Sequence, residues 1–92
     1  MTGRSGSAGT DGKGDVEAKF EEADHGGMQI DIVPAAPEEG STDGEGIDSA
    51  ARELLADMEV DHCKVILRDH GAPGWVAKAR LETAIRRSGV KR

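Results

Sequence analysis

The spacing of apolar residues changes period three times between Val16 and Ile85, which restricts the chain to a fold mixing strands with helices. Val16, Ala18 and Phe20 alternate with Glu17, Lys19 and Glu21, the period of two expected of a strand with one buried face. Met28, Ile30 and Ile32 repeat the pattern against Gln29, Asp31 and Val33. Between them Asp24-His25-Gly26-Gly27 supplies turn residues, so the two strands are expected to pair as an antiparallel hairpin. Pro34 and Pro37 end the second strand, and an acidic loop follows over 34–46, with Thr42 and Glu45 at the spacing of a capping box.

Ile47, Ala50, Ala51, Leu54, Leu55 and Met58 then draw one apolar stripe along a helix. Cys63, Val65 and Leu67 return to the period of two and stop at Asp69-His70-Gly71. Pro73 suits the first turn of a final helix that buries Ala77, Leu81, Ala84 and Ile85 and ends at Gly89. The expected fold class is α+β, a small two-layer β-β-α-β-α domain with a sheet of about three strands covered by helices on one face. Its boundaries are read as a flexible Gly/Ser-rich arm over 1–14, the domain over 15–89 and a basic tail over 90–92.

Composition excludes several functions. With one Phe, one Trp and no Tyr, an aromatic-lined catalytic pocket is not expected. Residues 1–61 hold sixteen acidic and four basic side chains, whereas residues 62–92 hold two acidic and eight basic ones. An acidic body repels nucleic acid, and Arg86, Arg87, Lys91 and Arg92 have no interleaved aromatics for base stacking, so they read as cations at a helix C-terminus. The single cysteine, Cys63, cannot form an internal disulfide and suits a reducing cytoplasm. The apolar runs are too short to span a bilayer.

Catalytic and metal chemistry find no constellation. His62 and Cys63 are neighbours on a strand and point to opposite faces, and no paired-His or Cys-x-x-Cys spacing occurs. Gly12-Lys13-Gly14 lacks the spacing of a phosphate-binding loop. What remains is Lys13 itself, a reactive side chain between two glycines in Asp11-Gly12-Lys13-Gly14-Asp15. At the end of a flexible arm, that placement suits a group that is modified and then swings, whereas composition alone favours a solvated lysine with no specific task.

Two stretches carry a resemblance to a known family. The first is Ala8-Gly9-Thr10 followed by Gly12-Lys13-Gly14-Asp15-Val16-Glu17; the second is Val65-Ile66-Leu67-Arg68-Asp69-His70-Gly71-Ala72 followed by Val76-Ala77-Lys78-Ala79-Arg80-Leu81-Glu82-Thr83-Ala84. Over roughly residues 8 to 88 the chain resembles the acyl carrier subunits of citrate lyase (gamma) and malonate decarboxylase (delta). The resemblance implies a non-catalytic subunit that works with larger catalytic subunits of a lyase or decarboxylase complex, without nucleic acid or membrane. It also implies a phosphoribosyl-dephospho-CoA arm, joined through a phosphodiester to a serine whose position here is Lys13. An amine does not form the bond that a hydroxyl forms; Ser5 and Ser7 lie upstream, six or eight residues out of register. The readings that follow are a carrier-derived organising subunit without a prosthetic group, attachment through an amide on Lys13, or a sequence-variant carrier.

Overall fold

The computed structural model describes residues 4–36 and 44–90. In chain order it contains β1 (Ser5–Ala8), β2 (Val16–Glu22), β3 (Met28–Val33), α1 (Gly44–Asp57), β4 (Cys63–Asp69) and α2 (Gly74–Ser88). The four strands form one sheet in the order β1-β2-β4-β3, with β1–β2 and β2–β4 antiparallel and β3–β4 parallel. The α+β class stands. The element order is β-β-β-α-β-α, one strand longer than the periodicity indicates.

The alternating patterns place side chains as expected. Val16, Ala18 and Phe20 on β2 and Cys63, Val65 and Leu67 on β4 turn to the same face and are buried against α1 and α2. α1 contributes Ile47, Ala51, Leu54 and Leu55, and α2 contributes Ala77, Leu81, Ala84 and Ile85. Each large side chain so buried is worth about 1.5–3 kcal/mol before entropy is counted. The opposite face of the sheet carries Glu17, Lys19, Lys64, Ile66 and Arg68 and has no described element over it.

Two expectations about pairing are corrected. β2 and β3 do not form a hairpin with each other; β4 lies between them and pairs with both. A period of two fixes which face of a strand is buried but says nothing about its neighbour, and the parallel β3–β4 pair is reached through α1, the connection parallel strands require. The second correction concerns residues 5–8: their Gly/Ser-rich composition indicates a flexible arm, and they instead form β1, in register from Ser5 opposite Glu21 to Ala8 opposite Ala18.

β1 is bound to α2 as well as to β2. Gly6 stands so close to the helix that an added Cβ would lie 2.2 Å from the Ala84 carbonyl oxygen. Arg87 Nη1 donates to the Ser7 carbonyl at 3.1 Å, and Arg4 Nη1 donates to the Gly89 carbonyl. Arg86 pairs with Glu82 on its own helix. The basic end of α2 is therefore occupied in part with contacts inside the chain.

Both helices end in the left-handed conformation. At α2 this falls on Gly89, as expected from its sequence, with Pro73 capping the other end rather than sitting in the first turn. At α1 it falls on Glu59, with φ 58. There the Glu59 N–H bonds to the Ala56 carbonyl at 3.1 Å and the Val60 N–H to the Leu55 carbonyl at 2.9 Å, the paired bonds that close a helix end, with Val60 buried beneath. The expected capping box of α1 rests on Thr42, which lies outside the described residues.

Candidate functional site

The β1–β2 loop, residues 9–15, carries Lys13 between two exposed glycines. Its start is set by Gly9, at φ 95, where a Cβ would meet the Val16 carbonyl oxygen at 1.8 Å; no side chain fits there. Its end is set by Asp15. One carboxylate oxygen accepts from the Thr10 N–H at 3.1 Å and the Thr10 hydroxyl at 2.8 Å; the other accepts from the Val16 N–H at 2.7 Å. Arg80 of α2 reaches both, with Nε at 2.8 Å and Nη2 at 3.4 Å.

Burial works to raise the Asp15 pKa, but the hydrogen bonds from Arg80, Val16 and Thr10, joined by the Arg80 charge, outweigh it and hold the carboxyl at about 2. Asp15 is thus ionised at neutral pH, and the loop is clamped to α2 there.

A second tether runs to the end of β4. The Gly14 N–H donates to the His70 carbonyl at 2.6 Å, and the His70 N–H donates to the Asp15 carbonyl at 3.0 Å. Next to it Asp69, only 2% exposed, accepts the Gly71 and Ala72 N–H groups on one oxygen at 2.9 Å each. This carboxylate folds the Asp-x-Gly-Ala turn and sends the chain into α2. Loop and helix start are held side by side, and Lys13 and Trp75 line one cleft of about 360 Å³ with Thr10, Asp15, Ala79 and Arg80.

Ser5 and Ser7 are elsewhere. Both are exposed on β1, facing a groove on the open side of the sheet shared with Lys19, Glu21, Lys64 and Ile66. The structure does not bring them to the loop tip. Cys63 is buried, and burial pushes its thiol up to about 11, so it serves the core. His62 Nδ1 accepts the Gly27 N–H at 2.9 Å, joining the β2–β3 turn to the start of β4. Among the described residues no group of three or more His, Cys, Asp or Glu side chains could hold a metal ion.

The arrangement presents one amine on a braced loop. A phosphodiester-linked arm does not fit these residues: position 13 carries no hydroxyl, and the Thr10 hydroxyl is engaged, donating to Asp15 and accepting the Gly12 N–H at 3.2 Å. Sequence reasoning named Lys13 but assigned no role to Asp15, Arg80 or Trp75. Asp15 and Arg80 lie within the two stretches that carry the family resemblance, whereas Trp75 has no periodic partner to mark it.

Comparison with known proteins now bears on these features. A family model described as malonate decarboxylase delta subunit (MdcD) matches residues 4–88. The citrate lyase acyl carrier protein of Escherichia fergusonii is 30% identical over 81 residues, 88% of this chain and 80% of that protein. The protein of the same description from Treponema denticola is 40% identical over 48 residues, 52% of this chain and 55% of that protein. No solved structure matches the chain at a significant level. A match that begins in β1 and runs to the end of α2 takes in every described element and the Lys13 loop, and the chain belongs to the malonate decarboxylase delta subunit family of acyl carrier proteins, whose members are carrier subunits and not catalysts.

Proposed function

We propose that the chain is a non-catalytic, acyl-carrier-like subunit of a cytoplasmic lyase or decarboxylase complex, and that it presents the β1–β2 loop, with Lys13 at its centre, to active sites on larger catalytic subunits. The observation that carries this reading is the double fastening of an otherwise exposed loop, through Asp15 to Arg80 and through Gly14 and Asp15 to His70. These bonds offset the cost of ordering the loop backbone, about 1–2 kcal/mol per residue. The bracing leaves the Lys13 side chain outside, on a backbone tethered at Gly12 on one side and Gly14 on the other.

Lysine in place of the family's serine supports a second reading, in which the subunit has lost its prosthetic group and organises its partners. Two measurements separate them. Intact mass of the protein from its native host, with the Lys13 peptide mapped, shows an amide-linked adduct in the first case and an unmodified chain in the second. Lys13→Ala abolishes the activity of the assembled complex while leaving binding unchanged if the presented residue matters; equal activity removes that claim and leaves the organising role.

A further inference from the structure

We propose that the first turn of α2, centred on Trp75, is the anchor by which the chain docks on the catalytic subunit that receives Lys13; this rests on the carrier reading above. Trp75 is the only tryptophan of the chain and is 74% exposed, against 43% for Val33, the other exposed large apolar residue among those described. The core side of α2 is already filled by Ala77, Leu81, Ala84 and Ile85. Trp75 and the exposed Ala79, one turn on, lie on the outward side, away from the core.

The occupant follows from what shares the cleft. Any surface that takes in Lys13 from the β1–β2 loop must also cover the wall that holds Trp75. Of the two cations lining that wall, Arg80 is spent on Asp15, whereas Lys13 forms no ion pair with a described residue. The partner surface is therefore an apolar slot sized for an indole, beside the site that takes in Lys13. Tryptophan is among the residues most enriched at the anchors of protein interfaces. A second copy of this chain is the poorer occupant, because a twofold contact centred on Trp75 sets one Lys13 near the other.

The test uses the full chain labelled with 5-fluorotryptophan, which gives a single fluorine resonance, titrated with purified catalytic subunits of the malonate decarboxylase or citrate lyase of the same host. The expected result is a shifted resonance on complex formation and a Kd raised tenfold or more by Trp75→Ala, with partial recovery in Trp75→Phe. Urea unfolding of each variant, unchanged from the parent, excludes loss of the fold as the cause. A complex that forms equally well with Trp75→Ala, or that leaves the resonance in place, overturns the anchor while the carrier reading stands. Failure of the parent chain to bind any of these subunits overturns both. A shift produced by raising the concentration of the chain alone assigns the face to self-association and overturns the proposal.

Discussion

Residues 4–8 and residues 9–15 are built from the same small and polar side chains, and the fold uses them in opposite ways. The first stretch becomes an edge strand pressed against the C-terminal half of α2, where Gly6 allows two backbones to touch and Arg87 and Arg4 bind carbonyls across the contact. The second turns away from the core beside the N-terminal end of the same helix, and only its polar framework is held, through Asp15 and Arg80. Glycine in the first case buys closeness and in the second a turn; neither requires mobility. One helix thus serves as a buttress at one end and as part of a presenting surface at the other.

The contrast breaks most sharply at Gly6. Gly6→Val forces a branched side chain into the Ala84 and Ser88 backbone and is expected to cost about 3 kcal/mol in urea unfolding. A loss under 1 kcal/mol would mean that β1 can leave α2 without consequence. Next in size is Asp15→Asn, which removes the charge that Arg80 and Thr10 address and is expected to cost about 1.5 kcal/mol at neutral pH, discounted for the exposure of Arg80. The sign with pH is fixed: the folded carboxyl titrates at about 2 against an ordinary 3.8, so this stabilisation is complete above 3.8 and lost as pH falls through about 2. Unfolding followed from pH 6 to 2 should therefore show a larger decline in the parent than in Asp15→Asn.

A smaller effect of opposite sign sharpens the point about glycine. Glu59 adopts the left-handed conformation that glycine adopts freely, and it places a negative charge at the C-terminal end of α1. Glu59→Gly is expected to stabilise the chain by about 1 kcal/mol, read as a raised urea midpoint with unchanged slope. Smallest of all, Lys13→Ala and Trp75→Ala should shift stability by less than about 0.5 kcal/mol, since both side chains are exposed. Effects on activity or assembly from these two, without effects on folding, would separate presentation from buttressing.

The sequence made legible whatever depends on local pattern. β2, β3, α1, β4 and α2 follow from apolar spacing, and Gly89 marks a helix end because the residue type and the position agree. β1 was invisible because Ser-Gly-Ser-Ala has no apolar alternation: its place depends on β2 and α2, the latter some eighty residues away. The order of strands was equally hidden, since β2, β3 and β4 each show one buried face and nothing in that face names a neighbour. At the candidate site Lys13 drew notice through chemistry and flanking glycines. Asp15 and Arg80 meet only after α2 folds back over a separation of 65 residues, and Trp75 is conspicuous only once it is seen to be exposed.

β4 comes later in the chain than both strands it separates. Without the residues that follow His62, the β1–β2 pair and the β3–α1 segment have no ladder in common. The strand that joins them and the helix that seals Gly6, Asp15 and the core emerge afterwards. Folding of this domain therefore cannot finish before β4 and α2 are available, and until then the apolar faces of β2 and β3 lack the strand and helix that cover them.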